Sequence, residues 1–89
     1  MAMDFESDEE KAAHNLSKHG VDFELAVRML LDPNRPEEDD SEPTEHRQRA
    51  IGVVDGRVLL VVFTMHEDVC RIISARAAER RERRRYHEG

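Results

Sequence analysis

The sequence predicts a small α+β domain: two N-terminal helices packed on a three- to four-stranded antiparallel sheet, with a closing C-terminal helix. Three observations carry this. Helical start and stop signals recur over residues 7–33, two apolar runs are separated by Asp55-Gly56 alone, and residues 77–86 turn to a helix-favouring, arginine-rich composition. The 89 residues, 38% of them apolar, suffice for one modest core, so residues 1–89 are expected to form a single domain.

Taken in order, residues 3–5 are a candidate short edge strand. Ser7, followed three places later by Glu10, reads as a capping box opening a helix that Gly20 closes, with acids in its first turn and Lys18 and His19 in its last. Its apolar side is thin, with Ala12, Ala13 and Leu16, whereas Lys11, Asn15 and Lys18 share a polar face. Asp22 caps a second helix in which Phe23, Ala26, Val27 and Leu30 recur at helical spacing, and Asp32-Pro33 ends it. Residues 33–45 are rich in proline and acid and read as a flexible, solvated loop.

Residues 46–54 and 57–64 then form a hairpin about Asp55-Gly56, a register that sets Arg47 opposite Thr64 and Arg49 opposite Val62. The second run is apolar on both faces and should be central. After a short loop, residues 65–68, a third strand over residues 69–75 alternates Arg71, Ile73 and Ala75 with Cys70, Ile72 and Ser74. Residues 77–86 are helical by propensity, with Glu79 and Arg83 as an i, i+4 pair.

Composition narrows the function. No apolar run approaches the ~20 residues of a membrane span, and the N-terminus lacks a secretory signal, which points to a cytoplasmic protein with no membrane partner. The single cysteine, Cys70, fits a reducing compartment and reads as a small strand residue. His14 and His19 are five apart rather than four, and no Cys or Asp completes a ligand set, so no metal is expected; no cofactor motif is present either.

Charge is unevenly distributed. Residues 1–70 hold 7 Lys and Arg against 17 Asp and Glu, whereas residues 71–89 hold 7 against 3. A local positive field attracts phosphate even where the whole molecule is acidic. Arg76, Arg80, Arg84 and His87 read as one acid-free stripe, and five of the seven residues from Arg80 to Tyr86 are arginine. That exceeds what Glu79 and Glu82 can pair, and forked guanidinium donors suit phosphate. Arg80 and Arg84 are therefore candidate contacts to a phosphate-bearing anion, against the plainer reading of a solvated helix face.

The segments over residues 5–11, 15–23, 45–52, 71–76 and 82–86, above all Lys18-His19-Gly20-Val21 with Phe23 and the run from Arg71 to Arg76, resemble the BrnT family of bacterial toxins. The resemblance implies a RelE-like ribonuclease toxin fold, an RNA substrate, and a ribbon-helix-helix antitoxin that neutralises the toxin and through which alone operator DNA is met. Many family members carry a Glu-Arg pair where this chain has Met65-His66, so either His66 substitutes or activity is reduced. Metal-free RNA cleavage needs a base for the 2′-hydroxyl, cations for the phosphorane and an acid for the leaving oxygen. On the family pattern, Arg47 and Arg76 are the expected phosphate binders and Lys11 and Lys18 guide the RNA backbone. His19 or Glu45 is the candidate base, although His19 equally reads as a helix-end histidine satisfied by the dipole and Glu45 as a partner of Arg47 or Arg49. Tyr86 either serves RNA or anchors the last helix. The alternative function is a non-catalytic binding module or co-repressor acting through its partner.

Overall fold

The computed structural model describes residues 4–32, 35–39 and 46–88. Among them run β1 (Asp4–Glu6), α1 (Glu9–His19), α2 (Phe23–Met29), β2 (Glu37–Asp39), β3 (Gln48–Val54), β4 (Arg57–His66), β5 (Val69–Ala77) and α3 (Arg80–Glu88). The strands make one sheet in the order β1-β5-β4-β3-β2. The α+β class stands, but the sheet is five-stranded and mixed, not a three- to four-stranded antiparallel one, because β1 joins β5 in parallel and β2 joins β3 antiparallel. β2 comes from the segment expected to be wholly flexible. Its acidic residues carry no apolar alternation, yet Glu37, Glu38 and Asp39 pair with Ala50, Arg49 and Gln48 through backbone.

The hairpin is as the sequence implied. Asp55 and Gly56 both take the left-handed backbone (φ 49° and 76°) that a two-residue turn matched to strand twist demands, and Arg49 faces Val62. β4 runs on through Met65 and His66, shortening the expected loop to a turn at Glu67-Asp68. β5 carries a bulge where β4 passes from Val62 to Phe63. Ser74 faces Val62 and Ile72 faces Phe63, so Ile73 is the extra residue. The expected alternation therefore breaks. Cys70, Ile72 and Ala75 are all buried on the core side, and Arg76 emerges beside Leu60 on the other.

The core lies between that side of the sheet and α2. Val21, Phe23, Ala26, Met29 and Leu30 meet Ala50, Val54, Leu59, Val61, Phe63, Cys70, Ile72 and Ala75. Met29 packs directly on the backbone of β3: a Cβ at Gly52 would stand 2.4 Å from Met29 Sδ, so any larger residue there requires Met29 to shift. α2 ends at Met29, before Asp32-Pro33, because its last turn tightens to i→i−3 bonds from Leu31 to Arg28 and from Asp32 to Met29. Burial pushes the Cys70 thiol up to about 11, aided by nearby Glu37, which makes it an inert packing residue.

α1 is held differently. Its N-cap is Asp8, whose carboxylate accepts from Glu10 N (2.8 Å) and Lys11 N (3.3 Å), in place of the expected Ser7 box; Gly20 closes it in the left-handed conformation. Leu16 is 49% exposed, and Asn15, from the polar face, is the buried residue. The reason is where the helix docks. α1 lies along the edge of β5, where it meets backbone polar groups. Asn15 supplies what a neighbouring strand would, accepting from Ala75 N (3.0 Å) and donating to Ala75 O (2.7 Å), while Nδ2 also donates to Val21 O (3.0 Å).

Candidate functional site

Ladder partners share a face, so the side of the sheet away from α2 can be read from the register. Glu38, Arg49, Val62 and Ser74 form one row across it, Ile51, Leu60 and Arg76 the next, and Thr64, Arg71 and Glu6 the row on the opposite flank of the first. Ile51 and Leu60 are buried although they stand outside the main core, because α3 crosses this outer face above them. Val62, Thr64 and Ser74 stay half-buried. They floor a part of the sheet that arginines flank.

α3 has no buried residue of its own, and polar links hold it. Arg76 clasps Glu82 through both terminal nitrogens (2.8 and 2.9 Å), and Glu82 also accepts from Glu79 N, closing the first turn. Hydrogen bonds from Arg76 hold the Glu82 carboxyl below the ordinary carboxylate range, with Arg49 adding to the attraction from a distance. Arg85 pairs with Glu38 of β2, and Arg83 donates to Ala78 O. Tyr86 Oη donates to Asp32 Oδ2 (2.6 Å), the same oxygen that accepts Val53 N (3.0 Å). Tyr86 thus anchors the helix, and its hydroxyl is pushed above the usual phenol range by the bond to Asp32.

The expected site residues divide into three groups. Lys11, Lys18 and His19 line a groove of about 370 Å³ between α1 and the β5 bulge, with Ile73 and Ser74 opposite. A second hollow shares Lys11 and reaches Arg71, so the cations of α1 continue toward the outer face. Arg47 directly precedes β3, where continuation of the ladder sets it beside Thr64, and Arg76 lies two rows away on β5. His19 shares its groove with Ser74, a residue of the row that carries Arg49. Glu45 lies outside the described residues. The proposed stripe is divided too: Arg76 belongs to β5 rather than to the last helix, Arg80 is exposed without an ion pair among the described residues, and Arg84 meets Glu88 only at 4.0 Å.

Sequence reasoning missed Glu82, Arg49 and Arg71. The sequence offers Glu82 only as an acid within the arginine run of α3, yet it is the carboxylate clasped by Arg76 of β5. Arg71 takes Glu6 at 2.8 Å, and Arg49 reaches Glu38 at 3.4 Å. Hairpin parity, which sets Arg47 and Arg49 on one face, was the signal that could have joined them. The described residues contain no group of three or more His, Cys, Asp or Glu disposed to hold a metal, and no helix long and apolar enough to cross a membrane. What the arrangement offers is guanidinium and ammonium donors along two connected surfaces, suited to a polyanion.

In comparison with known families, the model for the ribonuclease toxin, BrnT, of type II toxin-antitoxin systems matches residues 8–82. No curated protein matches the chain in sequence.

Proposed function

We propose, for a chain that belongs to the BrnT family of ribonuclease toxins of type II toxin-antitoxin systems, that it cleaves RNA on the outer face of its sheet without a metal ion. The observation that carries this reading is the bulge in β5, which turns Arg76 to the same face as Arg49 and Arg71, around a floor of small or polar side chains. Arg47 and Arg76 serve as phosphate contacts. Arg76 does so only by exchanging Glu82 for phosphate, because both its terminal nitrogens are engaged. Lys11 and Lys18 guide the strand along the β5 edge, and Arg80 and Arg84 add contacts from α3. The proton carriers are His19 or Glu45, with His66 a further candidate, since its parity on β4 matches Thr64 and Val62.

The antitoxin is proposed to be a ribbon-helix-helix protein that covers this cationic surface, with operator DNA met only through it. Neutralisation by occupation is the simplest physics, since an open polyanion site stays active. Cleavage of RNA by the purified protein in excess chelator tests the reading, together with Arg47→Ala and Arg76→Ala. Loss of a phosphorane contact raises the barrier by roughly 2 to 4 kcal/mol, so each variant should cut at about a thirtieth to a thousandth of the wild-type rate. Abolition of wild-type cleavage by chelator overturns metal independence, and two fully active variants move the site elsewhere.

A further inference from the structure

We infer that Arg49 is an anion-binding residue in its own right, seating an RNA backbone phosphate between the sheet floor and α3; the identity of the ligand rests on the ribonuclease reading above. The argument is a count of donors and charges. Arg76 spends both terminal nitrogens on Glu82 and one of them also on Ala77 O. Arg71 gives Nε to Glu6 at 2.8 Å, at the rim and largely in solvent. Arg49 has five N–H donors, and its contact with Glu38 is 3.4 Å, beyond the 2.7–3.2 Å of an ordinary N–H···O bond. Its Nε is buried and has no hydrogen-bond partner among the described residues. Buried donors are almost always satisfied, so one that is not marks a place where a ligand completes the shell.

Charge leads to the same residue. Arg49, Arg76 and Arg85 face Glu38 and Glu82, three guanidinium groups against two carboxylates. Glu82 is held by the bidentate Arg76 clasp, and Glu38 is shared between Arg85 and the long contact to Arg49. The surplus positive charge therefore resides on Arg49, the most weakly paired of the three. Val62 and Ser74 share its row and are half-buried, and Ser74, two strands across on β5, puts one hydroxyl donor on the same face. A phosphodiester fits because a guanidinium fork with unused donors and a hydroxyl on the same face match its two non-bridging oxygens.

The test uses a 2′-O-methyl oligoribonucleotide, which carries phosphates but lacks the attacking hydroxyl, so binding is read independently of cleavage. Affinity is measured at several salt concentrations for wild type, Arg49→Gln, Arg49→Lys and the exposed hairpin variant Arg57→Gln. Arg49→Gln should weaken binding roughly tenfold, the value of one charge-assisted contact, and flatten the salt slope by about 0.7. Arg49→Lys should keep the slope and recover part of the affinity, and this guards against a folding defect in the glutamine variant. Arg57→Gln should match wild type. Parallel salt lines for wild type and Arg49→Gln, or an equal loss in Arg57→Gln, overturn the assignment. An all-ribose oligonucleotide run alongside keeps the two readings apart: a wild type that binds through Arg49 yet cuts nothing defeats the ribonuclease reading and leaves the anion site standing.

Discussion

Replacing Asn15 with alanine should unfasten α1 from the sheet. Three hydrogen bonds disappear, at 3.0, 2.7 and 3.0 Å, and they leave Ala75 N, Ala75 O and Val21 O without partners. Each such loss costs about 1 to 1.5 kcal/mol when the remaining group stays buried, so the three together cost roughly 3 to 4 kcal/mol. Alanine's better helix propensity returns about 0.5 kcal/mol, for a net loss near 3. For a domain of this size that lowers the melting temperature by roughly 12 to 24 °C. Urea unfolding gives the free energy, and amide exchange at Ala75 gives the location, since its N–H loses its acceptor. Asn15→Asp should be worse still, because a carboxylate oxygen would then face two carbonyls. A cost under about 1 kcal/mol for Asn15→Ala, with Ala75 still protected, would show that water or a shifted helix replaces the amide and that the reasoning fails.

Gly52→Ala should cost about 1 to 3 kcal/mol by chemical denaturation, since the new methyl meets Met29 Sδ at 2.4 Å, and the extra cost should shrink in a Met29→Ala background. Glu82→Gln should narrow its stability gap to wild type in acid: the folded carboxyl is depressed, so its contribution is full above the ordinary glutamate pKa and lost as pH falls through the lowered value. Tyr86→Phe should do the reverse. The folded hydroxyl is raised, so its bond to Asp32 contributes fully below the ordinary tyrosine pKa and is lost as pH rises through the higher one, which melting curves in alkaline buffer would follow. Replacing Arg80 and Arg84 with Gln should flatten the salt dependence of RNA binding by about 1.4 and leave sequence choice intact; parallel lines would make them a solvated face.

What the sequence disclosed and what it hid divide along a physical boundary. The Asp55-Gly56 turn and the helix stop at Gly20 were legible because backbone conformation and side-chain type decide them locally. β2 was not, since Glu37 to Asp39 become a strand only by pairing with an existing edge, and acidic residues carry no trace of that in their pattern. β1 was foreseen as an edge strand, but its parallel sense depends on where the chain enters the sheet. The largest misreading concerned Asn15 and Leu16. Amphipathic logic assumes that a helix packs on a face, and α1 packs on an edge, where an amide is worth more than a leucine. Of the candidate site, Arg76 was read in one stripe with Arg80 and Arg84 although it lies on β5, and Glu82 and the long contact of Arg49 are tertiary facts without a linear signature.

Ile73 works as a frameshift written into a strand. A β-strand has only two sides, so an extra residue reassigns everything after it unless the backbone bulges to absorb it, as β5 does at Ile73. Were Ile73 taken into the regular alternation instead of being bulged out, Ala75 and Ala77 would turn outward and Arg76 would turn to the side packed by α2. The C-terminal helix would then have no surface to land on. Removal of Ile73 should therefore keep Ser74, Ala75 and Arg76 on their present partners and faces, whereas one residue inserted between Ile73 and Arg76 should turn Arg76 inward unless a second bulge absorbs it. In a molecule of this size, which side of the sheet carries the arginines is decided by counting residues, and no side chain at the bulge needs to be of any particular kind for the count to hold.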